Sequence, residues 1–150
     1  MPAHEQASRT AAAAPRHVRE ARIRVRYAET DQMGVVYYSN YLIWMEVGRV
    51  EYCKSVGFDY RDMEAQDKVV LAVAEAHCRY LYPARFDDEV TVRTWIEDAS
   101  PRLVRFGYQM LRAEDGRLLA RGETKHIFCG PNLRPARLPE KYHRLFGIKP

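Results

Sequence analysis

YAETDQMGVVYYSNY, residues 27–41, sets one carboxylate, Asp31, a short loop ahead of an aromatic-rich helix start. Gly34 lies between the two, and no proline does. A strand before the loop delivers Asp31 toward a cleft. The helix behind it offers backbone N–H groups that have no intrahelical partner. A carboxylate facing such donors is a minimal hydrolytic arrangement. It suits an acyl group that already carries a good leaving group, such as a thioester.

Outward from this stretch, residues 22–28 alternate Ile23, Val25 and Tyr27 with Arg22, Arg24 and Arg26, the pattern of a half-buried strand. Residues 38–56 predict a helix, with Tyr38, Tyr41, Leu42, Met45, Gly48, Tyr52 and Val56 at three- and four-residue steps. Ile43, Trp44, Val47 and Val50 fill much of the remaining circumference. A helix apolar on nearly every side calls for protein on nearly every side. Gly48 in its middle predicts close packing on a sheet, and Gly57 stands where a C-cap glycine would. A helical turn is expected over 60–66.

From Val69 the pattern turns to strands: 69–83, 89–98, and two joined by Asp115-Gly116, a hairpin signal. In the last strand Ala120, Gly122, Thr124 and His126 share the inner face, leaving room for a helix or ligand. Pro131, Pro135 and Pro139 break the pattern before a short helix over Glu140–Phe146. The order predicts an α+β fold of about five antiparallel strands, curled around one long helix.

The 150 residues fit one domain, read over 21–150 behind a flexible leader over 1–20. No apolar run is long enough for a membrane span. Three widely spaced cysteines, Cys53, Cys78 and Cys129, suggest a reducing compartment, the cytoplasm. The net charge of +4 comes from scattered arginines with no dense basic stretch, which disfavours nucleic acid and suits a phosphate-bearing substrate. No His-x-x-x-His or zinc spacing occurs, so no metal is expected.

The Asp-x-x-Gly-Val-Val-Tyr core, PARFDDEVTV (residues 83–92) and ARGETKHIF (residues 120–128) resemble the hotdog-fold acyl-CoA thioesterases of the 4-hydroxybenzoyl-CoA thioesterase-like family. The resemblance runs from about residue 22 to about 146. It implies thioester hydrolysis with no metal or cofactor, on an acyl-CoA substrate, in a homodimer or dimer of dimers. By position, Asp31 matches the family's catalytic carboxylate, and Tyr38 the helix-start residue whose backbone N–H polarises the thioester carbonyl. Some relatives carry histidine at Tyr38, a change that leaves a main-chain donor in place. Gly34 matches the loop glycine, and Asn40 and Tyr41 match first-turn residues with a structural or pocket-lining role. Val36 and Tyr37 join them as expected substrate contacts.

An ionised Asp31 would attack the carbonyl to give a mixed anhydride, or activate water instead. Glu29 reads as a solvated strand end. Glu46 and Arg49, one turn apart, read as a structural pair. His77 and His126 read as core or interface histidines, Cys53 as a small buried hydrophobe, and Thr124 as cleft lining or plain packing. Arg102, at a strand turn, is the favoured contact for coenzyme A phosphates, with Arg134 and Arg137 as alternatives. The acyl group is expected to be short-chain or aromatic. A competing reading is a non-catalytic hotdog module that binds acyl-CoA, acyl carrier protein or a protein partner. A dehydratase is disfavoured because the Asp31 loop holds no histidine.

Overall fold

Asp115 and Gly116 turn the chain as their chemistry predicts. Gly116 takes φ +69°, and the Asp115 carboxylate accepts the backbone N–H of Arg117 at 3.1 Å. In the computed structural model, which describes residues 16–150, this turn joins two of five strands. The strands are β1 (Arg19–Arg24), β2 (Val70–Tyr80), β3 (Glu89–Ala99), β4 (Leu103–Arg112) and β5 (Leu118–Cys129). The long helix, α1, runs Asn40–Ser55 between β1 and β2. Residues 1–15, most of the segment read as a leader, lie outside the described residues.

The sheet is antiparallel throughout, in the order β1-β3-β4-β5-β2. Sequence order left open that β2 pairs with β5 rather than with β3. Tight turns fix β3, β4 and β5 as a meander, so β2 takes the far edge. The chain must then cross three strand spacings, roughly 14 Å, to begin β3. Residues 81–88 make that crossing over one end of the sheet.

Helix α1 lies on the inner face. A Cβ on Gly48 would run into Thr94 Oγ1 and stand 2.9 Å from Val92 Cγ1 of β3, so only glycine permits this approach. Gly122 on β5 likewise makes the notch that receives Met45. The small inner-face residues of β5 therefore admit the helix. Trp44, Met45, Phe106, Tyr108 and Phe128 sit fully buried between the two layers.

Enclosure of the helix is incomplete, contrary to its all-round apolar pattern. Ile43 is 53% exposed and Val47 38%, and Val73 of edge strand β2 is 57% exposed. A single five-stranded sheet covers one flank of α1 and leaves the other open. The first strand also differs from expectation. It spans Arg19–Arg24, and Tyr27 sits outside it in a 3-10 turn (Tyr27–Glu29), 77% exposed and edge-on to Phe86. Beyond β2 the chain leaves the sheet three residues before Pro83. A helical turn, Tyr60–Asp62, widens into a π-helical stretch, Met63–Asp67, and a 3-10 helix covers Glu140–Phe146.

Arg49 does not pair with Glu46 among the described residues. It donates to Tyr108 Oη at 3.2 Å; Tyr108 shares a 2.6 Å hydrogen bond with Thr124, and His126 Nε2 joins Thr124 Oγ1 at 2.8 Å. Thr124 thus serves a buried polar chain and not the cleft. Among the described residues His126 Nδ1 has no partner. Burial, and after it the Arg49 charge, holds the His126 imidazole down to about 3. The unfolded chain takes up a proton near pH 6.5 that the folded core refuses. Stability is therefore full above pH 6.5 and falls as pH drops toward the folded value. The expected loss from this residue is up to about 2 kcal/mol between pH 6.5 and 5, at ~1.4 kcal/mol per unit. Urea unfolding across that range should show a shallower pH slope in His126→Gln. An equal slope in the two proteins would reject the assignment.

Candidate active site

The crossover over residues 81–88 is the floor on which the Asp31 loop rests. Leu81 and Tyr82 both donate their N–H to Leu119 O of β5, at 2.8 and 3.0 Å. Ala84 then accepts the N–H of Val36 at 2.9 Å and donates its own to Tyr41 Oη at 3.1 Å. Loop, crossover and first helical turn are thereby tied together, and a cleft of about 420 Å³ opens between them. Val36, Tyr37, Tyr38, Tyr41, Tyr80 and Tyr82 supply most of its walls, and Asp31 borders it.

Asp31 is held by its own loop. Its N–H donates to Val35 O at 2.9 Å, its carbonyl accepts Gly34 N–H at 3.0 Å, and Oδ1 accepts Met33 N–H at 2.8 Å. This is the local side-chain-to-backbone closure that aspartate favours. One carboxylate oxygen is occupied, and the other has no hydrogen-bond partner among the described residues. The side chain keeps partial contact with solvent.

Helix α1 begins at Asn40, two residues later than its periodicity predicts, with Ser39 at the N-cap. Asn40, Tyr41 and Leu42 donate to Tyr37, Tyr38 and Ser39 carbonyls at 3.0, 3.3 and 3.1 Å. Among the described residues, the N–H groups of Tyr38 and Ser39 donate to no protein acceptor. Tyr38 therefore stands at the helix mouth, just outside the helix, with its amide unsatisfied.

Three residues expected to contact substrate do not line this cleft. Gly34 does not border the cleft; its φ of +77° closes the Asp31 turn, a backbone region that glycine enters freely. Asn40 does not line the cleft and donates Nδ2 to Glu29 O at 3.0 Å. Arg102 lies at the far end of the sheet. Its carbonyl meets Phe128 N–H, whereas the cleft floor hangs on Leu119, nine residues back along β5 and roughly 30 Å away. Within one protomer Arg102 and Asp31 are not brought together.

Glu29 overturns its reading as a solvated strand end. It is 5% exposed, its Oε2 accepts Trp44 Nε1 at 3.0 Å, and its Oε1 accepts Arg26 N–H at 2.8 Å. Its carbonyl takes Tyr37 N–H at 2.8 Å together with the Asn40 amide. The carboxylate is buried because the 3-10 turn folds it under α1, where an indole N–H needs an acceptor. Its signal in sequence was Trp44, whose indole N–H needs an acceptor once it is buried in the helix face. Tyr80 is a cleft residue that the sequence did not point to. It is a strand residue with no motif, and only the pairing of β2 with β5 brings it beside the helix mouth. Cys53 is buried as expected: it donates weakly to Tyr60 Oη at 3.5 Å, and burial pushes its thiol up to about 11.

Among the described residues no cluster of His, Cys, Asp and Glu is arranged to hold a metal ion, and no helix is long and apolar enough to cross a membrane.

Residues 25–146 match the family model described as Thioesterase-like superfamily. The chain is 42% identical over 111 residues to the provisionally named acyl-CoA thioesterase YneP of Bacillus subtilis, covering 74% of this chain and 79% of that protein. Among solved structures, the DHNA-CoA thioesterase from Staphylococcus aureus superposes with a TM-score of 0.83 at 33% identity, over 87% of this chain and 89% of that one. A 4-hydroxybenzoyl CoA thioesterase mutant, solved with 4-hydroxybenzoyl CoA, gives a TM-score of 0.78 at 20% identity, over 85% of this chain and 97% of that one; it speaks to the fold alone. The chain belongs to the Thioesterase-like superfamily and is a hotdog-fold thioester hydrolase.

Proposed function

We propose that this chain hydrolyses acyl-CoA thioesters, with Asp31 as the nucleophile or general base and the helix mouth at Tyr38 as the oxyanion site. The observation that carries this reading is the pairing of two incomplete groups on one aromatic-walled cleft: a carboxylate with one free oxygen and a backbone amide with no acceptor. The names of the relatives agree with it. A thiolate leaves readily, so the arrangement needs only to activate a nucleophile and hold the carbonyl oxygen. In one route Asp31 takes a proton from water, the hydroxide adds to the carbonyl carbon, and the C–S bond breaks to release CoA thiolate. In the other, the carboxylate adds directly, CoA thiolate leaves, and water hydrolyses the mixed anhydride. In either route negative charge grows on the carbonyl oxygen, opposite the Tyr38 N–H.

Tyr37, Tyr41 and Val36 suit a short-chain or aromatic acyl group, since their walls are apolar and rigid. Arg102 would meet CoA phosphates only from another protomer. A homodimer or dimer of dimers is supported by the exposed Ile43 and Val47 of α1 and by β2, an unpaired edge strand with Val73 exposed. The three unbridged cysteines agree with the cytoplasm.

The test is thiol release from a panel of acyl-CoAs by the purified protein. Short-chain or aryl members should turn over with the highest kcat/KM and long-chain members poorly. Tight binding of the panel with no thiol released by any member would replace this reading with that of a non-catalytic acyl-CoA-binding module.

A further inference from the structure

We infer that Tyr80 is a positioning residue for the oxyanion site, acting through the hydrogen bond from its hydroxyl to the Tyr38 carbonyl. This rests on the proposed role of the helix mouth. The bond is 2.9 Å long. The same carbonyl accepts Tyr41 N–H at a long 3.3 Å, so the first helical turn alone holds it weakly. Tyr80 also braces this turn with its ring. It stands edge-on to Tyr41 at 5.0 Å and to Tyr38 at 6.4 Å, both nearly perpendicular.

The consequence follows from peptide geometry. The Tyr38 carbonyl and the Ser39 N–H belong to one planar trans unit, so a donor on the oxygen draws electron density from the nitrogen side. Hydrogen bonds in series strengthen one another in this way. The hydroxyl thereby makes Ser39 N–H a better donor and sharpens the positive end of α1. It also restrains the backbone of Tyr38 next to its own N–H, which belongs to the preceding peptide unit and has no acceptor among the described residues. Tyr80 borders the cleft from strand β2, so the edge strand sets the geometry of a site built on the loop and helix across from it.

The bond is separable from the packing, because Tyr80→Phe keeps the ring and removes only the hydroxyl. With the best substrate of the panel, Tyr80→Phe should lower kcat roughly five- to tenfold and leave KM within about twofold, as expected of a group that strengthens transition-state charge stabilisation. In the resting protein the Ser39 amide nitrogen should move upfield in a ¹H–¹⁵N spectrum, a readout that needs no turnover. A kcat within about twofold of wild type, or a KM that rises as kcat falls, would overturn the proposal; the second pattern marks loss of substrate binding instead. An unmoved Ser39 resonance would overturn the polarisation directly. Asp31→Asn measured beside it separates the two ideas. If that variant keeps its turnover while Tyr80→Phe loses it, the Asp31 assignment fails and the Tyr80 role stands. The opposite pair of results removes Tyr80 and leaves Asp31.

Discussion

Asp31→Asn is expected to lower kcat at least about 100-fold, the low end for removing a general base, with no change in the thermal midpoint. The substitution is chosen for what it keeps. Asparagine presents the same Oδ1 to the Met33 N–H, which now sits 2.8 Å away, and it tolerates the same turn. The Asp31 carbonyl still accepts Gly34 N–H, and the Val35 contact is main chain. What disappears is the negative charge, and with it the power to take a proton from water or to attack a carbonyl. The amide end of the site is untouched, so substrate binding should survive and KM should stay within a few-fold. Thiol release under saturating substrate measures kcat, and circular dichroism measures the midpoint. A variant that keeps more than about a tenth of wild-type turnover would mean that the reaction draws its base from elsewhere. If turnover and midpoint fall together, the carboxylate is part of the scaffold.

How far the site was legible in sequence depends on the range over which each residue acts. Asp31, Gly34 and Tyr38 are neighbours in the chain, and the turn and helix mouth that organise them are local. They were readable because local chemistry dictates them: an aspartate that closes its own turn, a glycine with positive φ, a helix start with unsatisfied amides. The strands were readable for the same reason, apart from their ends. Tyr27 fitted the alternation of β1 and yet left it, because the chain must bend at once to bring Glu29 under Trp44. That demand comes from a residue 15 positions away.

The place of Tyr80 beside the helix mouth, and that of the crossover across the sheet end, could not be read. Their place depends on β2 pairing with β5 and not with β3, a choice made by the whole sheet. The apolar girth of α1 reads as a demand for cover on all sides. The sheet meets that demand on the buried flank only, since five strands reach only partway around a helix.

The second large effect is expected at Glu29. Glu29→Gln should destabilise the fold by about 1.5–3 kcal/mol, the cost of losing a charge-assisted hydrogen bond inside the protein. Both carboxylate oxygens accept: Oε2 from the Trp44 indole and Oε1 from the Arg26 backbone. Glutamine brings one acceptor and one NH₂ group. Whichever way it turns, a donor faces a donor at a site with almost no water, and one buried N–H loses its partner. The damage should reach the chemistry as well. The Glu29 carbonyl holds Tyr37 N–H and the Asn40 side chain, so Glu29 fixes both the Asp31 loop and the start of α1. A shift of that anchor misaligns the carboxylate against the helix mouth, and kcat should fall by roughly tenfold more than the folded fraction explains. Urea unfolding of Glu29→Gln, Trp44→Phe and the pair of them isolates the contact. Removing the indole donor relieves part of what glutamine spoils, so the double variant should lose less than the sum of the singles. Additive losses, or a Glu29→Gln midpoint equal to wild type, would show that the carboxylate is not what binds loop to helix.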